Sequence, residues 1–395
     1  MPFSPDLSTP AAPFDGLSWF SQERVSAARV LVAGCGALGN EVLKNLALFG
    51  VGHVVMVDFD VVEPSNLCRS VLFTRDDADR RRYKVDAAAE RLRTIHPAMD
   101  IVTIRGDIAH DVGLGLLRTM DVAIGCVDSR YARYCLNRLC MRAGIPWVDG
   151  GIDRLEGTAR VFMPGRNCYA CNLGPEGLRE LSRRMPCSAV IRKNEAAGRV
   201  PTTPIVASII GAVQVQEALK LIHRPLIDEG QLTSLTGKIF YYEGQHLTTR
   251  LATFEAYDDC CPDHDRWDPV HPTTLTPDMT VAQALDTLSA TLGMDDPQIV
   301  LHDTCFVDYI VDRHDEARRY TVMCPAHRVA AIMEECDDLR QYSTTRFYQH
   351  EIPVLSAAFP YPDLTLRQAG IPAHDIFRVR DGHREVFVGM SHDIP

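Results

Sequence analysis

The chain has 395 residues, a formal charge of −11 and an ordinary globular composition with 46% hydrophobic and 24% charged residues. This length predicts two or three domains, and the acidic balance argues against a general nucleic-acid binder. No apolar run approaches the roughly 18–20 residues that cross a bilayer, and the N-terminus lacks the basic start and apolar core of a secretion signal. We therefore expect a cytoplasmic protein without a membrane span.

The chain begins with a stretch rich in proline and small residues, 1–17, which predicts a flexible arm. An apolar run at 29–33, the turn Gly34-Cys-Gly-Ala-Leu-Gly39 and an amphipathic run at 40–49 follow. They predict the strand, tight turn and helix of a nucleotide-binding βαβ unit. Glycines let the backbone approach phosphate, and the N-terminus of the helix offers unpaired N–H groups and a partial positive charge.

A second apolar strand, 53–57, ends in Asp58, an acid placed to hold a ribose hydroxyl. A nicotinamide-dependent oxidoreductase fits these features equally well. A second acid, an amide and two cationic side chains follow: Asp60, Asn66, Arg69 and Lys84. Amide, guanidinium and ammonium donors suit the phosphates of a nucleoside triphosphate, whereas hydride transfer requires no such group. A solvated charged loop is the alternative interpretation.

Short apolar runs recur at 101–104 and 122–124, separated by helices with charged outer faces. Such runs are typical of buried parallel strands, and their alternation with helices predicts an α/β fold with a doubly wound, mainly parallel sheet. Beyond Gly150 the pattern changes to antiparallel strands at 157–162 and 237–242. Between them, an apolar helix at about 206–221 must be buried by the core or by a partner subunit.

The thirteen cysteines indicate metal ligation, catalysis or buried thiols rather than a disulfide framework in a cytosolic chain. Cys168 and Cys171 predict the first half of a structural zinc site, and Cys261 and His264 supply a second half at the same spacing. Cys260 is an alternative to Cys261, at a less regular spacing. One further pair at this spacing has no convincing second half and stays unassigned: Cys324 and His327.

Cys187 is a candidate nucleophile. It follows a basic stretch with Arg183 and Arg184 and precedes Arg192 and Lys193. Positive neighbours lower the pKa of a thiol and favour the reactive thiolate. The aperiodic residues 187–201 predict a crossing loop that ends at the apolar helix. A structural thiol or a zinc ligand is the alternative.

Three segments resemble one known superfamily: the glycine turn, Val57-Asp-Phe-Asp-Val-Val-Glu-Pro-Ser-Asn-Leu-Cys-Arg69, and Cys126-Val-Asp128-Ser-Arg130. They are similar to the adenylating domain of the ThiF/MoeB/ubiquitin-activating superfamily, over about residues 26–222. The resemblance implies a Rossmann-like fold, ATP and magnesium as cofactors, and adenylation of the C-terminal glycine of a ubiquitin-like protein.

The resemblance also implies site residues. The nucleotide would be lined by glycines and held by polar groups of the two following loops: Gly34, Gly36, Gly39, Asp58, Asp60, Asn66, Arg69 and Lys84. Asp128, just after an apolar strand at the ligand-binding edge of the sheet, would bind magnesium. Its alternative role is an N-cap for the helix from Ser129.

In members that proceed beyond the adenylate, a cysteine near Cys187 forms a thioester, and in the resembling enzymes the region of the apolar helix supports a homodimer or pseudodimer. We therefore expect a homodimer and a conjugating-enzyme-like partner. The family's Arg-Tyr-x-Arg-Gln segment, which lends an arginine to the neighbouring subunit, is missing here. Arg24 is a possible substitute.

Three parts are expected along the chain: the arm 1–17, an adenylation domain 18–268 with the crossing loop and zinc site, and a domain 277–395. In the last part, a helix at 281–288, a strand at 298–301, a helical turn at 364–370 and a hairpin across Asp381-Gly382 resemble a ubiquitin-fold domain in their order. A small α+β domain with another role is the alternative.

Together with these residues, the resemblance implies an activating enzyme that adenylates a ubiquitin-like protein, forms a thioester on Cys187 and passes the acyl group to a conjugating enzyme. The first alternative is a sulfur-carrier adenylyltransferase of the ThiF/MoeB kind without a catalytic thioester. An NAD-dependent oxidoreductase and a non-catalytic nucleotide-binding scaffold are the remaining alternatives.

Overall fold

The structure is a computed structural model that describes residues 14, 16–184, 202–254, 260, 264 and 266–391. The described residues separate into two compact units. The first lies within Met1–Ile108, Leu117–Gly174 and Val200–Arg266, and the second within Ala109–Leu116, Pro175–Arg199 and Trp267–Pro395.

The first unit is built on one eight-stranded sheet in the order β3-β2-β1-β4-β5-β6-β7-β8. Its strands are β1 Arg29–Ala33, β2 His53–Val57, β3 Asp100–Ile104, β4 Val122–Gly125, β5 Trp147–Asp153, β6 Glu156–Phe162, β7 Lys238–Glu243 and β8 Thr248–Thr253. The first five strands in this order, β3-β2-β1-β4-β5, pair in parallel with their neighbours, and β5-β6-β7-β8 pair antiparallel. The predicted α/β fold with a doubly wound, mainly parallel sheet is confirmed.

Helices alternate with these strands. They are α1 Gln22–Ala27, α2 Ala37–Leu48, α3 Arg75–Asp79, α4 Lys84–Ile95, α5 Leu114–Leu117, α6 Arg130–Ala143, α7 Tyr169–Arg184, α8 Pro204–Ile222 and α9 Arg224–Asp228, with a 3₁₀ turn at Pro64–Asn66. Most of α5 and the part of α7 after Gly174 fall within the second unit. The backbone of α7 leaves helical geometry at Gly174. Apolar side chains of β1, α2 and α8, among them Val32, Leu43 and Ile210, share one buried core.

Helix α8 is the apolar helix that the sequence predicts. The hydroxyl of Thr203 caps it by accepting a hydrogen bond from the Val206 N–H, and Pro204 occupies its first turn. Gly211 allows a close approach to α2, because a Cβ there would lie 2.9 Å from the Glu41 Cβ. By length and composition alone, α8 is the one described helix that could cross a membrane. This corrects the expectation that no segment is long and apolar enough. Within the protein, 56% of the most apolar 18-residue stretch of α8 is buried.

The second unit is an α+β structure with a five-stranded sheet, β14-β10-β15-β16-β9, and a three-stranded sheet, β12-β11-β13. The strands are β9 Val270–Pro272, β10 Gln298–Val300, β11 Phe306–Asp312, β12 Asp315–Pro325, β13 Phe347–Ile352, β14 Val354–Leu355, β15 Ile376–Asp381 and β16 Arg384–Gly389. Its helices are α10 Val281–Leu292 and α11 Val329–Glu335, with 3₁₀ turns at Ala326–Arg328 and Thr344–Arg346.

The local predictions for this unit are mostly confirmed. Helix α10 begins with a capping box between Thr280 and Gln283 and ends at Gly293, which adopts a left-handed conformation. The predicted hairpin is the antiparallel pair β15 and β16. Residues 364–370, predicted as a helical turn, instead form successive turns with a bridge from Thr365 to Thr280. The ubiquitin-fold assignment stays a prediction.

Candidate functional site

The glycine turn connects β1 to α2 at the carboxyl edge of the sheet. Gly34 has a φ of +92°, and a Cβ on it would come within 2.6 Å of the Cys126 carbonyl oxygen after β4. A Cβ on Gly39 would lie 2.0 Å from the Gly34 oxygen. Both glycines are therefore required by the chain's own packing.

Gly36 differs from these two glycines. It is the N-cap of α2 and makes no side-chain cap, and a Cβ built on it would meet no heavy atom within 4 Å. The open space beside Gly36 lies at a helix N-terminus, where unpaired N–H groups and the helix dipole favour an anion. The residues present therefore fit a phosphate group at this place.

Asp58 fixes the turn from the neighbouring strand, β2. Its Oδ2 accepts a hydrogen bond from the Cys35 N–H at 2.7 Å, and its Oδ1 accepts one from the Asp60 N–H at 2.8 Å. Burial raises the pKa of Asp58, and Lys84 opposes that shift. The carboxylate thus lies beside the glycine turn, where the ribose of a bound nucleotide is expected.

Lys84 begins helix α4, and its ammonium lies among the acids after β2. Its Nζ is 2.7 Å from Asp60 Oδ2, and only 11% of its side chain is exposed. Burial favours a lower pKa for Lys84, but Asp58 and Asp60 outweigh burial and raise it. The ammonium therefore stays charged and supplies a fixed positive charge at the nucleotide edge.

Asn66 and Arg69 are held by their own turn. Asn66 Oδ1 accepts a hydrogen bond from the Glu63 N–H at 2.9 Å, and Arg69 Nη1 donates to the Ser65 carbonyl at 2.7 Å. A guanidinium has five N–H donors, so Arg69 retains donors for a phosphate. The structure places both residues after β2 and shows these local bonds; their phosphate contacts stay a prediction.

Asp128 lies between β4 and α6. The Ser129 hydroxyl accepts a hydrogen bond from the Ala132 N–H at 2.9 Å, so Ser129 is the N-cap of α6 and the capping role considered for Asp128 is wrong. Asp128 is exposed, and β4 lies next to β1 in the sheet. An exposed carboxylate near an expected phosphate fits the oxygen ligands that magnesium takes in proteins.

Four potential metal ligands come together from two distant segments: Cys168, Cys171, Cys260 and His264. Their ligand atoms all lie within 4.8 Å of one another. The Cys168 Sγ is 3.8 Å from the Cys171 Sγ and 3.7 Å from the Cys260 Sγ. Tetrahedral zinc with Zn–S bonds of about 2.3 Å places sulfur atoms roughly 3.8 Å apart, so the cluster fits zinc.

Histidine completes this cluster, with the His264 Nε2 2.9 Å from the Cys168 Sγ and 3.6 Å from the Cys171 Sγ. Cys260, the alternative to Cys261, is the ligand that the described residues contain. Cys261 lies outside the described residues, and its role stays a prediction.

Two other cysteines that the sequence singles out lie apart from this cluster or outside the described residues. Cys187 lies outside the described residues. Cys324 lies in the apolar core of the second unit, where burial raises its pKa to about 11. Among the described residues, the potential metal ligands that come together are those around Cys168, and neither Cys324 nor His327 belongs to that group.

Three charged residues that no sequence motif indicated form a buried cluster, hereafter the arginine cluster: Arg133, Asp149 and Arg160. The Arg133 Nε donates to Asp149 Oδ1 at 2.9 Å, and its Nη2 donates to the Gly150 carbonyl at 3.0 Å. The Arg160 Nε is 3.8 Å from Asp149 Oδ2. The one sequence signal for this cluster is Asp149, an acid directly after apolar Trp147 and Val148. Its partners could not be inferred, because Arg133 lies on α6 and Arg160 on β6.

Comparisons with known proteins agree with the geometry. Residues 7–263 match the ThiF family. The SAMP-activating enzyme E1 of Haloferax volcanii is 32% identical over 60% of this chain and 81% of its own length. The molybdopterin-synthase adenylyltransferase of Salmonella typhimurium is 34% identical over 58% of this chain and 84% of its own length.

Two further matches are more limited. The chain spans 44% of the mouse adenylyltransferase and sulfurtransferase MOCS3, at 34% identity over 56% of this chain. Among solved structures, Escherichia coli MccB with ATP gives a TM-score of 0.48 at 20% identity, over 60% of this chain and 67% of that chain. A likeness at that level adds nothing to the family assignment.

Proposed function

The chain belongs to the ThiF family, and from this premise we propose that it uses ATP to adenylate the C-terminal glycine of a ubiquitin-like protein. Adenylyl transfer is the activity that the family supports, and several relatives carry it in their names. The nature of the acceptor is the finer part of the proposal. Family membership leaves the oxidoreductase alternative without support.

One observation carries the proposal: the open space at Gly36 and the ammonium of Lys84 lie at the carboxyl edge of neighbouring strands. The packing of the protein itself does not require a glycine at position 36, because a Cβ there would meet no other atom within 4 Å. Asp58 and Asp60 keep the Lys84 ammonium charged by raising its pKa. Backbone donors and a fixed cation are the groups that a polyphosphate requires.

In the proposed reaction, a carboxylate oxygen of the acceptor attacks the α-phosphorus of ATP. The new C–O–P bond forms as the bond to the β-phosphate oxygen breaks, and pyrophosphate leaves with the electron pair. Lys84 and Arg69 would offset the phosphate charge, and Asp58 would orient the ribose. A magnesium ion held by Asp128 would supply further charge neutralisation. Positioning and electrostatics supply most of the rate in such a transfer.

The second step of the proposal is transfer of the acyl group to Cys187. The thiolate would attack the adenylate carbonyl, the carboxyl C–O bond to AMP would break, and AMP would leave. This step is supported by the basic residues around Cys187 in the sequence, which favour a thiolate. A conjugating-enzyme-like partner would then take the acyl group, and a homodimer would be the working form.

A second candidate is adenylation of a sulfur-carrier protein without a thioester on this chain. The name of the Salmonella relative, molybdopterin-synthase adenylyltransferase, favours it. Both candidates share the nucleotide site and the first step. They differ in whether Cys187 carries a covalent intermediate.

A non-reducing gel separates the two candidates. The purified protein is incubated with ATP, magnesium and candidate ubiquitin-like proteins, and Cys187→Ala is compared with Cys336→Ala, a partly buried cysteine of the second unit. A reducible adduct that Cys187→Ala loses and Cys336→Ala keeps supports the thioester. Carrier-dependent ATP–pyrophosphate exchange without any adduct supports the sulfur-carrier candidate.

A further inference from the structure

The arginine cluster lies at the same sheet edge as the nucleotide site, two strands away from the glycine turn. Asp149 on β5 pairs in register with Gly125 on β4 and with Arg160 on β6. Arg133 comes from the first turns of α6, directly after Asp128. Burial favours a lower pKa for Arg133, but Asp149 outweighs burial and, with a smaller contribution from Asp128, raises the pKa of Arg133.

The cluster carries an excess of positive charge. Two guanidinium groups share one carboxylate, and Asp149 is fully buried while the side chains of Arg133 and Arg160 are 14% and 16% exposed. Buried cations are unfavourable unless anions or hydrogen bonds compensate them. Among the described ion pairs, Arg160 has only the shared Asp149 as an anionic partner, so one further anion would balance its charge.

The two arginines have different bonding. Arg133 is fixed by its hydrogen bonds to Asp149 and to the Gly150 carbonyl. In contrast, the Arg160 Nε and Asp149 Oδ2 are buried and make no hydrogen bond within the described part of the chain. The Arg160 Nη2 makes a long hydrogen bond of 3.4 Å to the Thr158 hydroxyl. The Arg160 Nε and Asp149 Oδ2 face each other as an ion pair at 3.8 Å, so Arg160 is held less tightly than Arg133.

We propose that Arg160, with Arg133 beside it, binds the terminal carboxylate of the acceptor chain before adenylation. The strand order places the glycine turn at β1, Asp128 after β4, and the cluster at β5 and β6. An acceptor carboxylate at the cluster would thus approach the nucleotide past Asp128. The planar guanidinium fork matches a carboxylate, and its charge reduces the repulsion between two anionic reactants.

This inference rests on the proposed function, because adenylation requires a free carboxylate on the acceptor. A direct test uses a labelled ten-residue peptide that ends in Gly-Gly with a free carboxylate, and the same peptide with a C-terminal amide. Binding is measured by fluorescence anisotropy in the presence of magnesium and a non-hydrolysable ATP analogue. The proteins compared are the wild type, Arg160→Gln, Arg160→Lys and the control Arg224→Gln, an arginine that is 48% exposed on α9.

We expect the wild type and Arg224→Gln to bind the acid at least about tenfold more tightly than the amide, as expected for a charged hydrogen bond. Arg160→Gln should lose this preference while its affinity for the nucleotide analogue stays within about twofold of the wild type. Arg160→Lys should retain part of the preference, because it keeps the charge without the fork. This variant also preserves the test if Arg160→Gln fails to fold.

Two results would overturn the assignment: no preference of the wild type for the acid, or a full preference in Arg160→Gln. ATP–pyrophosphate exchange with a carrier protein separates this failure from failure of the proposed function. Exchange with an unchanged carrier KM in Arg160→Gln rejects the carboxylate subsite alone. An acid preference without any exchange in the wild type rejects the adenylation proposal and leaves the subsite in place.

Discussion

The ammonium of Lys84 lies 2.7 Å from the carboxylate of Asp60, with only 11% of the lysine side chain exposed. The backbone N–H of Lys84 also donates to the Asp60 carbonyl at 2.9 Å. These two bonds attach the first turn of α4 to the loop after β2. The fixed cation that a triphosphate requires is therefore part of the fold before any nucleotide binds.

Replacing Lys84 should abolish most of the nucleotide chemistry. Lys84→Ala removes the cation and leaves Asp58 and Asp60 uncompensated near the phosphates, so we expect carrier-dependent ATP–pyrophosphate exchange to fall by about 10²–10³-fold. Lys44→Ala, which breaks a partly exposed pair with Glu41 on α2, is the matched control. An exchange rate within about threefold of the wild type in Lys84→Ala would show that Lys84 does not act on the nucleotide.

Gly36 and Gly39 should respond differently to alanine. A Cβ at Gly36 enters the open space expected for phosphate, so Gly36→Ala should fold, with a loss of about 1 kcal/mol at the helix cap, and should bind ATP at least about tenfold more weakly. Gly39→Ala places its Cβ 2.0 Å from the Gly34 oxygen and should lower Tm strongly. Thermal unfolding and calorimetric ATP titration measure both effects. An unchanged ATP affinity in a folded Gly36→Ala variant would contradict the proposal that a phosphate binds beside Gly36.

The cysteine–histidine cluster should hold one structural zinc ion. Cys171→Ser and His264→Ala should lose zinc and unfold at a lower temperature, because a closed tetrahedral site links residues 168–171 to 260–264. The control variant Cys336→Ser, which changes a cysteine outside the cluster, should retain the zinc ion. Elemental analysis of the purified variants measures the metal, and a protein that holds no zinc after purification and after zinc addition contradicts the site.

The same assay decides between Cys260 and Cys261. The contacts of Cys260 with Cys168 predict that Cys260→Ala loses zinc and Cys261→Ala retains it. The reverse result would return the ligand to Cys261, as the sequence spacing favours.

Asp77 should contribute stability that acid removes. Burial favours a raised pKa, but hydrogen bonds from the Thr74 hydroxyl and backbone, together with Arg82, outweigh burial and lower the pKa of Asp77 below its usual 3.8. The stabilisation by its carboxylate is therefore complete above pH 3.8 and is lost as the pH falls through the lowered value. Urea unfolding should show Asp77→Asn to be less stable than the wild type at pH 7, with a smaller difference at low pH. The exposed Asp76 provides the control Asp76→Asn, and a difference that does not change with pH would exclude this cause.

Much of the candidate nucleotide site could be predicted from the sequence, because the residues that indicate it are close together along the chain. The turn from Gly34 to Gly39 and the acid at Asp58 follow apolar runs directly, so their positions at the sheet edge depend only on strand and helix periodicity. The pair Cys168 and Cys171 could likewise be recognised, because two intervening residues are the spacing typical of zinc ligands. The resemblance to a superfamily then supplied roles that periodicity alone does not give.

The features that escaped prediction depend on contacts between distant segments. The arginine cluster joins α6, β5 and β6, and nothing in the spacing of Arg133 and Arg160 relates them to Asp149. The sequence offered Cys260 only as the less regular alternative, because its contact with Cys168 joins segments that are 92 residues apart. The capping of α6 depends on one hydrogen bond, from the Ala132 N–H to the Ser129 hydroxyl, and Asp128 was the only residue that the sequence suggested for that role.

Carrier-dependent ATP–pyrophosphate exchange tests adenylation most directly. The purified protein is mixed with ATP, magnesium, labelled pyrophosphate and each candidate ubiquitin-like or sulfur-carrier protein, with a carrier that lacks its C-terminal glycine as the control. We predict exchange that requires the intact carrier, falls by about 10²–10³-fold in Lys84→Ala and persists in Cys187→Ala. Binding of ATP without exchange in the presence of any intact carrier would contradict adenylation and favour a non-catalytic nucleotide-binding scaffold.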